Sequence, residues 1–420
     1  MKHTHLICLF LCVTTFAARP AQAQTETVLA EFDAYLDGGD LDAKLTFDSQ
    51  GNLYGTSPVG GAYSAPGGGN PHGIVFELSP PSSCSTGDWC ETVLYNFCSI
   101  AGCADGLFPT YSYVTFDSLG NLYGTTQQGG SNGFGTVFEL SPEPLSGCPK
   151  GSNPGTNWCE TVLYSFCSVT GCADGEYPSN GLVWDSAGNL YGTTQGSANA
   201  GGTVYELSPN GRGGWTEKVI YPVAMGNAGL AIDASGNLYG VDASNDVFKL
   251  SFANGVWTVT NLYTFTGGSK DGLNPEGSPA VDSAGNVYGT TLNGGSKDYG
   301  TVWKLTLVTK GKDKGTYKKK ILHFFVTTKG GIYPWAGVTL DSSGNIYGTT
   351  VFGGLGGSGG TVFKLAVSDT TYKFETLWRF DYTDGAIPEA SPILDSLGNL
   401  YGTTLNGGAE TYGTVYEVTP

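Results

Sequence analysis

The sequence contains few of the side chains on which many enzymes rely. Its 420 residues include only 4 His, 3 Arg and 2 Met, and 14% of them are charged. It has no Gly-x-Ser-x-Gly motif in the strand–turn–helix context of a nucleophile elbow, no His-Glu-x-x-His helix and no phosphate-cradling glycine loop. We therefore assign no catalytic residue. Catalysis by carboxylates alone, as in glycosidases, stays open because Asp and Glu number 37.

Apolar runs long enough to span a bilayer are also absent, and glycine is abundant. The 66 Gly residues argue against a helical bundle or helical solenoid, because Gly costs about 1 kcal/mol relative to Ala inside a helix. They follow no triplet period, which excludes a collagen-like chain. The 24 Tyr, 20 Phe and 8 Trp are too many for a disordered chain. The composition therefore indicates a large all-β protein with many turns.

Residues 1–23 have the features of a secretory signal peptide. Lys2 precedes an apolar run from Leu6 to Ala18, and Ala21-Gln22-Ala23 forms a small-x-small cleavage site. The run is too short to span a bilayer, so we expect a secreted, extracellular or periplasmic protein with no transmembrane segment. Cleavage would leave 18 basic and 37 acidic residues. Such a surface repels phosphates, so nucleic acid and anionic membranes are not expected partners.

One pattern, Asp-x-x-Gly-Asn-aliphatic-Tyr-Gly, occurs seven times. The copies begin at Asp48, Asp117, Asp185, Asp233, Asp282, Asp341 and Asp395. An apolar run ends at each motif Asp, and a Thr-Val-Phe-Glu-Leu-like segment and a Thr-Val-Leu-Tyr-x-Phe-like segment follow. Each unit therefore contains four short strands, here named A to D in chain order. Such a unit cannot bury both of its faces alone, and radial stacking solves this. We predict a single domain, residues 24–420, forming a seven-bladed β-propeller of four-stranded antiparallel blades.

The two ends of the repeat array complement each other. The seventh unit ends after strand C, whereas residues 27–32 match the strand D pattern and precede the first strand A. We predict that this N-terminal strand completes the last blade, because ring closure removes an open sheet edge.

The seven motif aspartates are predicted to lock the A–B hairpins. An Asp carboxylate can accept backbone N–H groups across a tight turn, and the motif Gly supplies a positive φ. The alternative is a ring of carboxylates that binds a metal ion. We predict no metal and no cofactor.

Eight cysteines follow the signal peptide, and an exported protein favours disulfides. Cys90 and Cys98 bracket one strand D and so lie too far apart to bond, as do Cys159 and Cys167. The predicted pairs are Cys84–Cys90, Cys98–Cys103, Cys148–Cys159 and Cys167–Cys172. The alternative is zinc binding by the closely spaced pairs.

In this topology the D–A and B–C links emerge on one face, which is the candidate binding surface. The D–A link carries Asp-Gly-x-x-Pro at Asp105, Asp174, Asp271 and Asp384, and an aromatic residue or His precedes strand C at His72, Phe134, Tyr299 and Tyr412. Rings beside short polar side chains suit carbohydrate. The alternative is that these residues only shape turns. The fourth unit is shorter, which would open a notch that exposes Asp242 and Asn245; the alternative is sequence drift without a function.

Six lysines lie between Lys310 and Lys320, in the fifth C–D hairpin. They form either a solvated hairpin or a docking point for an acidic partner or a polysaccharide.

The unit resembles the GloVer-type tandem repeat of exported bacterial proteins over residues 27–420. The shared motifs are Leu-Tyr-x-Phe, Asp-Gly-x-x-Pro, Asp-x-x-Gly-Asn-Leu-Tyr-Gly-Thr-Thr, Gly-Gly and Gly-Thr-Val-Phe-x-Leu. The resemblance implies an exported, often surface-anchored repeat protein without an assigned activity. The Asp-x-x-Gly-Asn-Leu-Tyr turn is more distantly similar to that of NHL-type and streptogramin-lyase-like propellers.

Three functions follow from these observations. The leading hypothesis is a secreted, non-catalytic scaffold that binds a polysaccharide or an envelope protein through the D–A/B–C face. The second is a lyase or hydrolase that uses carboxylates on that face to act on an extracellular polymer. The third is a purely structural envelope protein.

Overall fold

The computed structural model describes residues 24–35, 37–62, 72–142, 148, 157–196, 201–226, 228–354, 357–369 and 371–420. The predicted signal peptide, residues 1–23, lies outside the described residues. In the parts of the chain that the structure describes, no helix has the length and apolar character needed to cross a membrane.

The described residues form seven four-stranded antiparallel sheets, which confirms the predicted seven-bladed propeller. Strands A to D are Thr46–Phe47, Leu53–Ser57, Ile74–Ser79 and Cys90–Asn96 in blade 1; Thr115–Phe116, Leu122–Thr126, Thr136–Pro142 and Trp158–Ser165 in blade 2; Pro178–Trp184, Leu190–Gly196, Gly201–Pro209 and Trp215–Pro222 in blade 3; and Ala231–Ile232, Leu238–Val241, Asp246–Ala253 and Val256–Thr264 in blade 4.

The remaining blades follow the same order from the axis outward. Their strands are Ala280–Val281, Val287–Thr291, Thr301–Leu307 and Tyr317–Phe324 in blade 5; Thr339–Leu340, Ile346–Thr350, Thr361–Ser368 and Thr371–Arg379 in blade 6; and Ile393–Leu394, Leu400–Thr404, Thr414–Thr419 and Thr25–Glu31 in blade 7. The links contain a two-stranded ribbon, Gly272–Leu273 with Asn293–Gly294, and three 3₁₀ turns, Ala101–Cys103, Thr170–Cys172 and Thr328–Gly330.

The N-terminal strand closes the ring, as predicted. Thr25–Glu31 pairs antiparallel with Thr414–Thr419 and supplies strand D of blade 7. Phe32, directly after it, is completely buried, and its ring lies 5.2 Å from that of Phe76 in blade 1. Phe32 therefore packs in the core between the last blade and the first.

The motif aspartates lock the A–B hairpins, which confirms the structural interpretation of the repeat. Oδ1 of Asp48 accepts the N–H groups of Gln50 and Asn52 at 2.8 and 2.9 Å, and Oδ2 accepts Asn52 Nδ2 and the Tyr54 hydroxyl. The same four bonds recur at the other six motifs. These carboxylates are therefore committed to the turns, and their hydrogen bonds explain the Asp-x-x-Gly-Asn-x-Tyr pattern.

The motif glycine on strand B is required by close packing. A Cβ on Gly124 would lie 2.6 Å from Cζ of Phe138, an aromatic residue of strand C in the same blade. Gly289 and Trp303 make the same contact in blade 5. The Tyr-Gly dipeptide of each repeat therefore makes room for the large ring of the next strand.

All four predicted disulfides are present: Cys84–Cys90, Cys98–Cys103, Cys148–Cys159 and Cys167–Cys172. Four disulfides in one chain are typical of proteins from oxidising compartments, which points to an extracellular or periplasmic protein.

Candidate functional site

A channel runs along the propeller axis and contains a cavity of about 550 Å³, lined by residues from all seven blades. The D–A link leads into the innermost strand, so the residues just before strand A surround the opening of the channel on the D–A/B–C face. Six residues before the motif Asp, the seven units carry Asp42, Tyr111, Ser179, Asn227, Glu276, Trp335 and Glu389; of these, Asn227 lies outside the described residues. This position differs chemically between blades, whereas the turn motifs repeat.

Asp42, Tyr111, Trp335 and Glu389 all line the cavity, and together they are here called the channel mouth. Tyr111 connects the two carboxylates. Its backbone N–H donates to Asp42 Oδ1 at 3.0 Å, and its hydroxyl donates to Glu389 Oε2 at 3.4 Å. A residue from blade 2 therefore joins acidic groups from blades 1 and 7.

Both carboxyl groups of the channel mouth have raised pKa values. Burial raises the pKa of Asp42 well above 3.8; the negative charge of Glu389 adds to this, and the Tyr111 N–H opposes it. Burial likewise raises the pKa of Glu389 above 4.5, against the hydrogen bond from Tyr111. The mouth therefore holds a proton more tightly than an ordinary surface carboxylate does.

One polar atom of the channel mouth lacks a partner among the described residues: the indole Nε1 of Trp335 is hidden from solvent and unpaired. Asp42 is 6% exposed, and its Oδ1 accepts the Tyr111 N–H. Buried polar atoms normally bond to protein, water or ligand. A buried carboxyl group and a free N–H donor beside one cavity suit a group that both donates and accepts hydrogen bonds.

A positively charged side chain also lines the cavity. Lys44 and Tyr113 line it, and Lys44 Nζ lies 4.0 Å from the centre of the Tyr113 ring. This cation–π contact places a positive charge two residues along the chain from Asp42.

The structure places the link aspartates of blades 2 and 3 inside their own turns. Asp105 is completely buried and accepts the Tyr95 hydroxyl at 2.9 Å and the Ser99 N–H at 2.8 Å. Asp174 accepts the equivalent Tyr164 hydroxyl at 2.7 Å. These contacts order the link that the short disulfide closes.

The other predicted aspartates have similar surroundings. Asp271 accepts the Tyr263 hydroxyl at 2.9 Å and forms a salt bridge with Lys319, while Asp384 accepts Trp378 Nε1 at 2.8 Å. Asp242 closes the short B–C turn of blade 4 and accepts two backbone N–H groups; it is 6% exposed, and so it is buried rather than presented in a notch.

The residues that precede strand C mostly contact a ring in the next blade's link. The ring centres are 5.6 Å apart for His72–Phe108, 5.6 Å for Phe134–Tyr177 and 5.9 Å for Tyr299–Tyr333. Burial lowers the pKa of His72. Tyr412 is 40% exposed. The predicted residues therefore lie around the D–A/B–C face and do not converge on one point, whereas the channel mouth does. Sequence reasoning missed the mouth, although comparing the position six residues before each motif Asp would have indicated it.

The repeat family described as Gloeobacter/Verrucomicrobia repeat matches residues 12–246 and 225–420. The chain belongs to this family. The GloVer-type resemblance is thereby confirmed. No curated protein matches the chain.

Several solved structures share the fold. PorZ, a bacterial surface component of the type-IX secretion system of Porphyromonas gingivalis, superposes with a TM-score of 0.50 at 14% identity, covering 92% of this chain and 48% of PorZ. This chain therefore spans about half the length of PorZ. The polysaccharide lyase Uly1 gives 0.48 at 10% identity, with coverage of 96% and 94%. The periplasmic gluconolactonase PpgL of Pseudomonas aeruginosa gives 0.49 at 14% identity, with coverage of 81% and 85%. At these identities the likeness concerns the fold alone.

Proposed function

We propose that this protein is an exported, non-catalytic scaffold that binds a saccharide at the channel mouth. The observation that carries the proposal is that the buried carboxyl group of Asp42 and the unpaired indole Nε1 of Trp335 belong to residues that line one cavity. A sugar hydroxyl can donate to the first and accept from the second. The Trp335 ring adds an apolar surface for the C–H face of a sugar.

The size of the cavity supports a small ligand. A volume of about 550 Å³ falls within the range of about 300–1,000 Å³ typical of small-molecule sites. The blades surround the channel on all sides, so a polymer would enter by its end or by a side branch. The partner is then a polysaccharide or a glycan-bearing envelope component, which is consistent with the disulfides and the predicted signal peptide.

A glycan array followed by calorimetry tests the proposal. Trp335→Phe keeps an aromatic ring but removes the unpaired N–H, and Asp42→Asn keeps the shape but replaces one carboxyl oxygen with an amide NH₂ group. Loss of one such hydrogen bond should weaken binding about tenfold. Trp184→Phe is the matched control, because Trp184 also has a hidden, unpaired Nε1 but packs between Tyr123 and Trp215, away from the mouth. The proposal fails if no glycan binds, or if Trp335→Phe binds as tightly as the wild type.

The raised pKa values of Asp42 and Glu389 favour one alternative. A carboxyl group with a raised pKa is better suited to act as a general acid, and Tyr111 holds Glu389 in place. The alternative function is a lyase or hydrolase acting on the bound polymer. To test this alternative, a glycan that binds on the array is incubated with the protein, and newly formed chain ends are measured. Cleavage by the wild type that is abolished in Glu389→Gln would support the enzyme and contradict the non-catalytic scaffold.

A further inference from the structure

The C–D hairpin of blade 5 concentrates positive charge in an acidic protein. The chain has a net charge of −17, yet residues 304–320 contain seven lysines and a single carboxylate, Asp313. Six of the lysines form what is here called the lysine hairpin: Lys304, Lys310, Lys312, Lys314, Lys318 and Lys320. A seventh, Lys319, points to the neighbouring link and pairs with Asp271 at 2.9 Å.

None of the six lysines of the hairpin forms a salt bridge with a carboxylate among the described residues. The salt bridges found among the described residues are Lys319–Asp271 and Lys373–Glu375, so none of the six lysines takes part in one. Lys304 and Lys320 lie directly opposite each other in the strand register. Burial lowers the pKa of Lys304; the charge of Asp282 opposes this shift, and the charge of Lys320 adds to it. Like charges in this arrangement destabilise a sheet, and an external anion would relieve the cost.

The turn that carries three of these lysines is ordered by its own backbone. Val308 N–H donates to the Thr316 carbonyl at 2.9 Å, and Gly315 N–H donates to the Val308 carbonyl at 2.8 Å. Lys310, Lys312 and Lys314 are exposed on this support. Lysines on an edge strand can serve to prevent sheet-to-sheet aggregation, but these three lie beyond the strand ends, where no edge needs protection.

We propose that the lysine hairpin is a docking surface for an anionic polysaccharide, a polymer bearing sulfate or carboxylate groups. Cross-strand neighbours lie about 5 Å apart and alternate residues of a strand about 7 Å apart, which sets several cations at short intervals. A linear polyanion that contacts them together releases its counter-ions. The acidic remainder of the protein repels the polymer, so contact is confined to this hairpin and weakens steeply with salt.

A polymer fits this surface better than a bilayer does. None of the exposed large hydrophobic side chains in the described structure lies within residues 304–320, so the hairpin offers nothing to insert among acyl chains. The C–D turns also emerge on the face opposite the channel mouth. The docking surface is therefore independent of the proposed saccharide site.

Binding to immobilised dextran sulfate, with uncharged dextran as the reference, tests the proposal between 50 and about 300 mM NaCl. The triple variant Lys310→Gln, Lys312→Gln, Lys314→Gln should lose at least tenfold in affinity and show a shallower salt dependence. The control triple, Lys218→Gln, Lys270→Gln, Lys297→Gln, changes the net charge equally at exposed positions on other blades or links and should stay within about twofold of the wild type.

A second variant, Lys318→Gln with Lys320→Gln, tests the strand portion of the hairpin, and thermal melting confirms that each variant is folded. Weaker binding in this variant as well supports the proposal. Equal losses in the hairpin and control triples would overturn it, because net charge alone would then govern binding. Failure of the wild type to bind at 50 mM salt would also overturn it, as would binding to anionic phosphatidylglycerol vesicles without binding to dextran sulfate.

Discussion

Glu160 on strand D of blade 2 provides a stability prediction that can be worked from the structure. Its Oε1 is hidden and unpaired among the described residues. Burial, and after it the charge of Asp105, raises its pKa from 4.5 to about 9. The equivalent strand position in blades 7, 1 and 3 also carries a glutamate with a raised pKa, about 8 for Glu26, about 8 for Glu91 and about 7 for Glu217.

The sign of the pH dependence follows from this shift. The folded state holds the Glu160 proton more tightly than the unfolded chain does. The contribution of this protonated side chain to folding stability is therefore fully present below pH 4.5 and is lost as the pH rises towards about 9. A pH of 7 lies about 2.5 units above the ordinary pKa of 4.5, at which the unfolded chain loses this proton. Relative to low pH, the folded state therefore loses roughly 3.4 kcal/mol of stability at pH 7 by keeping the proton. Because the side chain is partly exposed, solvent screening reduces the figure to about 1–2 kcal/mol.

Glu160→Gln supplies a permanently neutral side chain of the same shape. We expect it to raise the free energy of unfolding by about 1–2 kcal/mol at pH 7–8 and to have almost no effect at pH 4. Urea denaturation at pH 4, 6 and 8 measures this, with Glu410→Gln, an exposed loop position, as the control. A separate substitution in blade 5, Lys319→Glu, replaces the salt bridge to Asp271 with a pair of carboxylates and should destabilise the protein at pH 8. A Glu160→Gln effect that is absent at pH 8, or equal at all three pH values, would refute the reasoning.

Three further predictions concern the closure of the ring, the motif turns and the disulfides. Phe32→Ala should cost about 3–5 kcal/mol of unfolding free energy in urea denaturation, because Phe32 is completely buried between blades 7 and 1; a loss below 1 kcal/mol would contradict ring closure by the N-terminal strand. Burial pushes the pKa of Asp185 up, but its four hydrogen bonds outweigh this and hold the pKa below 3.8, so Asp185→Ala should lower the melting temperature at pH 7 and much less at pH 2, where protonation has already weakened the wild-type turn. Replacing Cys98 and Cys103 together by Ala should cost about 2 kcal/mol, the entropy of a short closed loop, and an unchanged urea midpoint would argue against that bond.

The repeat explains why so much of the fold could be predicted. Each Asp-x-x-Gly-Asn-x-Tyr-Gly copy specifies a turn by local hydrogen bonds, as Asp48 shows, and seven copies in order leave radial stacking as the simplest way to bury the strands. The disulfide pairs were predictable because a strand of known length separates the wrong partners. Residues 27–32 matched strand D by pattern alone, and they pair with the last strand as expected.

The candidate site could not be predicted in the same way. Asp105 and Asp174 looked like surface carboxylates because they repeat beside glycines in links, but each is held by a tyrosine hydroxyl and a serine from the preceding strand and link. Their partners stand 6 to 10 residues away, and which of them reach the carboxylate depends on how the link folds back.

The amino-acid sequence by itself determined the all-β class, the seven blades, their turns, the disulfides and the strand that closes the ring, since each of these follows from contacts that are local or repeated. Only the tertiary structure decided that Asp42, Tyr111, Trp335 and Glu389 meet at one opening. They are contributed by four different blades, and residues so far apart in the chain come together only because the ring is closed around a common axis.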